Sequence, residues 1–182
     1  MSCNLLNGID LSCRSAVGGV KNVYILSGSI TTVTDGSNSG TITDIDGTGT
    51  YWKLELNKGV GSFTEEVAVD VTAGTVGYTQ TVEMAFPKLQ AGLRNIVKVL
   101  AQAPSLSVII ETENGTIDNV GKFFLLGQYR GMTMSAGSGA TGVAYADASQ
   151  YGITLMGEEP FPAQEIATSG SLTDALTTIT VG

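Results

Sequence analysis

The stretch from Gly74 to Gly115 constrains the fold most, because it combines two different hydrophobic periodicities. In its first part every second residue is apolar, with one polar exception: Val76, Tyr78, Gln80, Val82, Met84 and Phe86. The residues between them are small or polar. This alternation predicts a strand with one buried face, which must lie against a core.

An amphipathic helix is predicted directly after this strand, over about residues 88–102. Pro87 ends strand pairing and can occupy the first turn of a helix, and Pro104 ends the helix. The predicted helix core is an apolar stripe at helical spacing: Leu89, Leu93, Ile96, Val97 and Leu100. We expect this stripe to be buried against a sheet. The residues expected to face solvent or a neighbouring subunit are Lys88, Arg94, Asn95 and Lys98.

A second strand and a hairpin return are predicted after the helix. Ser105–Glu113 has an apolar centre, and Asn114-Gly115 is a strong turn signal because both residues tolerate positive φ. The chain then returns through Lys122 and the apolar run 123–126, with slack expected at Ile117–Gly121. These elements together predict a mainly β protein, a β-sandwich or barrel with one flanking α-helix.

The remaining chain alternates between strands and regions of polar or small residues. Further strands are predicted at Val20–Ser27, Tyr51–Asn57, Phe63–Val71, Gly131–Ser135 and Tyr151–Glu158. Gly28–Thr50 is dense in Gly, Ser, Thr and Asp and is interpreted as a loop, with a protruding hairpin around Thr41–Asp44. Ser135–Gly142 is interpreted as a Gly/Ser/Ala loop.

A length of 182 residues favours a single domain. We divide it into an N-terminal arm (1–19), a core (20–158) and a C-terminal tail (159–182). The arm, the Gly28–Thr50 loop and the tail are too long and too polar for a core, and such segments are usually functional or disordered. We therefore expect them to bridge subunits and to order on assembly. Deleting Ala163–Gly182 should then leave a folded protein that stacks poorly.

The sequence contains no catalytic signature. It has no His, which removes the usual Ser-His-Asp and Cys-His systems and the commonest metal ligand. No Gly-rich phosphate loop opens a helix after a strand. The adjacent carboxylates Glu65-Glu66 and Glu158-Glu159 point to opposite faces of a strand, so neither pair forms a dyad. We expect no enzymatic activity and no cofactor.

A metal site and a membrane anchor are not expected either. The run 44–47 resembles the start of a calcium loop, but Gly47 comes one place early and a third early ligand is missing, which favours a turn. Cys3 and Cys13, without His, supply too few ligands for zinc, and we expect them to be structural thiols. The N-terminus lacks the features of a secretory signal, and no apolar run approaches the ~20 residues that span a bilayer.

An ordered series of short motifs extends over roughly residues 60–160. In chain order it comprises a strand opening at Tyr78–Thr81, the helix positions Lys88, Leu89, Arg94 and Leu100-Ala101, the acidic turn Glu113–Gly115, and the return strand Phe124–Gly127. A later segment, GATGVAYADASQYGITLMGEEP, has a small-residue loop and a final strand that ends in an acidic residue and a proline. In this order the motifs resemble those of the tail tube (major tail) proteins of tailed bacteriophages.

The resemblance implies a structural virion protein whose hexameric rings stack into a tube that conducts the phage genome. It implies as partners further copies of the chain, other tail proteins and DNA in transient, non-specific passage, with no membrane partner. The location it implies is the virion tail, after assembly in the host cytoplasm. The formal net charge of -8 agrees with a channel that repels phosphate.

Two polar strand faces are candidates for lining the lumen of such a tube. The lumen-facing residues we predict are Thr64, Glu66, Asp70, Thr79, Thr81 and Glu83. In a ring their carboxylates would repeat around the bore and repel DNA phosphate. Two alternatives remain open: another virion or injection-system tube component, and a glycan-binding β-sandwich with exposed aromatic side chains along a groove.

Overall fold

The structure, a computed structural model, describes residues 17–36, 40–115 and 122–182. These residues form a mainly β fold with one α-helix, as predicted. The strands are β1 (Val20–Asp35), β2 (Thr41–Glu55), β3 (Ser62–Asp70), β4 (Thr75–Pro87), β5 (Val108–Thr112), β6 (Phe123–Leu126), β7 (Thr133–Ala140), β8 (Gln150–Glu159), β9 (Gln164–Ile166) and β10 (Thr180–Val181). The helix α1 spans Ala91–Gln102, and a short 3-10 helix spans Leu172–Ala175.

The first sheet has six strands and returns to its own first strand, which gives a barrel-like ring. Antiparallel pairs join β2 to β1, β1 to β5, β5 to β6 and β6 to β9. A parallel pair between β9 and β2 closes the ring, and β10 adds to β2 in parallel. We call this sheet the barrel.

The second sheet has four strands in the order β3-β4-β8-β7, all antiparallel to their neighbours. We call it the open sheet. Its inner face packs on one side of the barrel, where Val82, Met84 and Leu155 share a core with barrel residues such as Val23 and Ile110. The protein therefore has both of the predicted architectures, a barrel and a sheet-on-sheet layer.

Strand β1 contributes to two separate cores through the alternation of its side chains. Val23 and Ile25 pack between the barrel and the open sheet, whereas Tyr24 and Leu26 pack inside the barrel. Strand β5 behaves in the same way at residues 108–110. Both faces of these strands are buried at residues 23–26 and 108–110, which explains why these two segments are apolar without a break.

The prediction of a loop at Gly28–Thr50 is wrong, because most of this region forms a long hairpin. Strand β1 continues to Asp35 and β2 begins at Thr41, well before the predicted Tyr51. Ile42 and Ile45 of β2 are fully buried in the barrel. Ser and Thr side chains on the exposed parts of the two strands give the region its loop-like composition.

The C-terminal tail is also placed differently from the prediction. Residues 159–182 are not outside the core, because β9, the 3-10 helix and β10 belong to the barrel region. Four of the side chains in this segment are buried in the barrel core: Ile166, Leu172, Ala175 and Ile179. The tail is therefore ordered within a single chain, and assembly is not needed to order it.

The Gly/Ser/Ala segment 135–142 is not a loop over most of its length, because β7 runs to Ala140 and pairs with β8 around a bulge between Met134 and Ala136. Most of the N-terminal arm, residues 1–16, and the slack at 117–121 lie outside the described residues.

The helix begins at Ala91, later than predicted, because Pro87 ends β4 and does not open the helix. The chain turns at Lys88, whose φ is 69°, and Gln90 is the N-cap residue. Leu89 precedes the helix and is half-buried.

The predicted apolar stripe of α1 is buried only in part. Leu100 is buried, and Leu93 and Val97 are half-buried against the core between the two sheets. Ile96 is 40% exposed, so the prediction of its burial is wrong. The four polar residues expected to face outwards are all exposed: Lys88, Arg94, Asn95 and Lys98.

Alanine substitutions on the buried side of α1 should lower the free energy of unfolding more than those on its exposed side. We expect Leu100→Ala to lower the free energy of unfolding by about 2–5 kcal/mol, as for other buried leucines. Ile96→Ala should change it by less than about 1 kcal/mol, because most surface substitutions have small effects. Urea denaturation of the two variants measures this difference. Equal losses would contradict the observed orientation of the helix.

Candidate functional site

The two predicted lumen-lining sets lie on the same face of the open sheet. Thr64 is directly opposite Thr81, and Glu66 is directly opposite Thr79, in the antiparallel pair of β3 and β4. Glu83 lies on β4 opposite the first residue of β3. Directly opposite residues of an antiparallel pair share a face. We call this face, which points away from the barrel, the outer face.

Asp70 lies on the same face of β3 as Thr64 and Glu66, but its carboxylate is engaged in the neighbouring turn. Its Oδ1 atom accepts hydrogen bonds from the backbone N–H groups of Thr72 and Ala73, both at 2.9 Å. This arrangement holds the turn between β3 and β4. Its carboxylate is therefore used in the turn, whereas Glu66 and Glu83 are exposed.

The outer face continues onto β8 and β7, which sequence reasoning did not include. On β8, Thr154 lies opposite Glu83, Met156 opposite Thr81 and Glu158 opposite Thr79. On β7 the face continues with residues paired to β8: Thr133, Ala136 and Ser138. Ala136 and Ser138 were missed because the segment 135–142 was interpreted as a loop. The positions on β8 and at the start of β7 lie in predicted strands, but the sequence alone does not show that these strands extend the sheet of β3 and β4.

The outer face is acidic and otherwise carries mostly hydroxyl or small side chains, with Met156 as an exposed apolar residue among them. Glu66, Glu83 and Glu158 are exposed on it. Arg130 stands at its margin, with Nη1 3.7 Å from Oε2 of Glu158, and both side chains are about two-thirds exposed. Such an exposed pair is weak. The face can therefore present negative charge over an area, which disfavours close contact with phosphate.

Both edges of the open sheet lack a strand partner in the part of the chain that the structure describes. Strand β3 pairs with β4 and strand β7 pairs with β8, and these are the two ends of the sheet order. Neither edge strand contains Lys or Pro, the residues that commonly protect a free edge. Edges of this kind can accept a strand from another chain.

A buried polar network connects the open sheet to the barrel. Gln80, the polar exception in the predicted strand, is 2% exposed. Its Nε2 donates to Oε2 of Glu65 (3.3 Å), and its Oε1 accepts from the backbone N–H of Gly127 (3.1 Å). The same Glu65 oxygen accepts from the backbone N–H of Ala163 (2.7 Å). These bonds hold the sheet, and with it the outer face, in a fixed position.

A second buried carboxylate, Glu111, joins β1 to β5. Its Oε2 accepts from Asn22 Nδ2 (2.6 Å) and Tyr24 Oη (3.1 Å), and its Oε1 accepts from Lys21 Nζ (3.2 Å). Burial by itself raises the pKa of Glu111, but the hydrogen bonds from Asn22, Lys21 and Tyr24 and the charge of Lys21 outweigh it and lower the pKa. We interpret this cluster as structural, because its contacts join neighbouring strands.

The lowered pKa of Glu111 predicts a loss of stability in acid. A carboxylate with a lowered pKa stabilises the fold above its ordinary pKa, and the contribution is lost as the pH falls through the lowered value. The melting temperature of the wild type should therefore decrease when the pH is lowered below about 4.5. Glu111→Gln should be less stable at neutral pH, by about 1–3 kcal/mol, and less sensitive to acid.

Thermal denaturation between about pH 7 and pH 3 measures this effect. The control is Glu66→Gln, which alters an exposed carboxylate on the outer face. An acid profile of Glu111→Gln as steep as that of the wild type would show that other groups cause the loss.

The possible calcium ligands of the sequence have protein partners. Asp44 Oδ1 accepts from Thr177 Oγ1 (2.7 Å), and Asp46 Oδ1 accepts from Thr178 Oγ1 (3.4 Å). Among the described residues no group of three or more Asp, Glu, Cys or His side chains is arranged to hold a metal ion. Cys3 and Cys13 lie outside these residues. No helix within the described ranges is long and apolar enough to cross a bilayer.

Within residues 17–36, 40–115 and 122–182, the acidic outer face and the two edge strands beside it, which have no strand partner there, form the candidate functional surface. Its carboxylate and hydroxyl side chains are spread over the surface of four strands, so it is suited to contact over an area. Comparisons with protein-family models, with curated proteins and with solved structures found no match to this chain.

Proposed function

We propose that this chain is a tube-forming structural protein of a phage tail. Copies of the chain form a ring, rings stack into a tube, and the genome passes through the bore without a chemical step. The observation that supports this function most strongly is the acidic outer face of the open sheet, together with the two unpaired edges beside it.

The strand directions of the open sheet are suited to a closed ring. Its four strands alternate in direction, so the two edge strands, β3 and β7, run in opposite directions. Strand β3 of one copy can therefore pair antiparallel with β7 of an identically oriented neighbour. Contacts between two different surfaces of one chain are heterologous and form a ring when the rotation closes.

The position of the barrel decides which face of the sheet would line the bore. The barrel and α1 cover the inner face of the open sheet except near the tip of the β3–β4 hairpin, so the outer face is the one that can point into a channel. In the ring, Glu66, Glu83 and Glu158 would each recur once per copy. The carboxylates of each residue would form a circle at one level along the axis of the bore. They would repel DNA phosphate at short range, within about 8–10 Å at physiological salt.

Two alternative functions remain, and the first of them would use the same surfaces. A tube component of another virion part or of an injection system would use the same edges and a similar ring. A glycan-binding surface would instead use exposed aromatic residues, and Tyr129 and Phe161 are exposed with their ring centroids 5.5 Å apart. This pair lies outside the outer face.

Sedimentation velocity and negative-stain electron microscopy of the purified protein test the proposal. We expect rings with an open centre, or tubes, whose abundance rises with protein concentration. A monomer at all concentrations would contradict the proposed function. Binding to a glycan array that disappears in Tyr129→Ala, together with a monomeric state, would support the glycan-binding alternative.

A further inference from the structure

The segment between β7 and β8, residues 141–149, presents two apolar side chains entirely to solvent. We call this segment the β7–β8 loop. Val143 and Tyr145 are 102% and 108% exposed, and they are the two most exposed large apolar residues of the described chain. Two such side chains within three residues form a small apolar projection at one end of the open sheet.

Hydrogen bonds within the β7–β8 loop hold it in one shape. Asp147 Oδ2 accepts from the backbone N–H groups of Ala144 (2.7 Å) and Val143 (2.8 Å), and the backbone N–H of Asp147 donates to the carbonyl of Ala144 (3.0 Å). The two bonds to its carboxylate lower the pKa of Asp147. The apolar side chains are therefore carried by a preorganised loop, and such a loop loses little conformational freedom when it binds.

A notch lies at the opposite end of strand β8. The β3–β4 hairpin extends past this end, because the pairing of β4 with β8 stops at Tyr78 and Glu159. In the described chain, residues 75–77 of β4 have no partner on that side. The space beside them is a groove of about 510 Å³, whose lining is mainly apolar with one basic residue: Val69, Val76, Tyr78, Pro160 and Arg130. Val69 and Val76 are 62% and 50% exposed.

The β7–β8 loop and the notch thus lie at the two ends of the same strand. Gln150, the first residue of β8, follows the loop, and Glu159, the last residue, borders the notch. In the proposed ring, β3 and β7 of neighbouring copies pair around the circumference and the outer face points to the bore. The strand direction is perpendicular to both of these directions, so it follows the axis of the tube. The notch of one ring therefore faces the β7–β8 loops of the next ring.

We propose that the β7–β8 loop of one copy inserts into the notch of a copy in the next ring, and that this contact stacks the rings. The inference rests on the proposed function, because the direction of the strands relative to the bore follows from it. The occupant of the notch is a second copy of this chain, since every copy carries the loop and the notch at opposite ends of β8. Contacts of this head-to-tail kind repeat from ring to ring along an axis.

The charges near the notch do not oppose an apolar contact. Its carboxylates already have partners: Asp70 and Glu159 accept backbone hydrogen bonds of their own chain, and Glu158 lies beside Arg130. Asp147, the one charged residue of the loop, is bonded within the loop. The contact therefore buries apolar side chains on both sides, which favours association. The hydroxyl group of Tyr145 can remain at the polar rim of the notch.

Charged substitutions in the loop and in the notch test stacking separately from ring formation. Tyr145→Asp and Val76→Asp should leave the fold and the ring intact, because both side chains are exposed, and circular dichroism and sedimentation velocity check this. Each should raise the protein concentration at which rings join into tubes at least about tenfold, as seen by negative-stain electron microscopy. Val99→Asp is the matched control, since Val99 is 57% exposed on α1, away from the loop and the notch.

A charge exchange tests whether the loop and the notch meet each other. Tyr145→Lys and Val76→Glu should each impair stacking, and the double variant should recover it. If Tyr145→Asp and Val76→Asp form tubes at the same concentration as Val99→Asp, the inference fails while the proposed function stands. If the double variant does not recover, the loop and the notch belong to separate contacts and the inference also fails. A wild type that forms rings but no tubes overturns this inference, and a wild type that stays monomeric overturns both proposals.

Discussion

A chain that ends before Ala163 is expected to remain unfolded. The segment 163–182 supplies Ile166, Leu172 and Ile179 to the barrel core, and its strand β9 connects β6 with β2. Burying one such side chain is worth about 1.5–3 kcal/mol. Removing three of them and opening the barrel approaches the whole stability of a typical domain, about 5–15 kcal/mol.

Circular dichroism and urea denaturation of the truncated chain measure this effect. Leu172→Ala and Thr173→Ala in the full-length chain are a matched pair of neighbours, one buried and one exposed. We expect a loss of about 2–5 kcal/mol for Leu172→Ala and less than about 1 kcal/mol for Thr173→Ala. A truncated chain that unfolds cooperatively at the wild-type midpoint would show that the segment is an appendage.

The second large effect is expected from reversing the charge of the outer face. If the chain forms the proposed tube, Glu66→Lys combined with Glu83→Lys should convert a bore that repels DNA into one that retains it. Each substitution shifts the charge by two units, so the formal net charge per chain rises from -8 to -4. Retention should decrease steeply as salt is raised, because binding to phosphate releases counterions.

The control is a second double variant, which changes the net charge by the same amount but at positions outside the outer face. Glu55→Lys combined with Asp35→Lys alters two exposed carboxylates of the β1–β2 hairpin, which is not part of the outer face. Co-sedimentation of assembled protein with duplex DNA, at low and high salt, compares the two double variants. Equal retention by both would show that net charge, and not position in the bore, controls DNA binding.

Three strands of the open sheet, β3, β4 and β8, could be predicted because apolar and polar residues alternate along them, whereas β7 is almost fully exposed and was interpreted mostly as a loop. Strands β3, β4 and β8 occur close to their predicted bounds, and the predicted pairing of β5 with β6 is present. Alternation is a local property of the sequence, so it can be read without knowledge of the partner strand. The common face of Glu66 and Glu83 depends also on the register of β3 and β4, which the sequence alone does not specify.

The barrel could not be predicted in the same way. Gly28 and Gly49 interrupt the pattern of the β1–β2 hairpin, yet they face each other there with positive φ. A Cβ atom at either position would collide with the opposing backbone, so these glycines are required by a strand pair and are not a sign of a loop. In the tail, buried residues such as Ile166 and Leu172 stand alone among polar ones, and their burial depends on the distant strands that they cover.

The central claim, that copies of this chain form a ring around an acidic bore, is tested most directly by electron cryomicroscopy of the assembled protein. The account predicts a hollow ring in which the open sheets of neighbouring copies join through β3 and β7, with Glu66 and Glu83 facing the bore. Rings in which the barrel lines the bore, with both carboxylates on the outer wall, would contradict the assignment of the face. A protein that never forms a hollow assembly would contradict the claim itself.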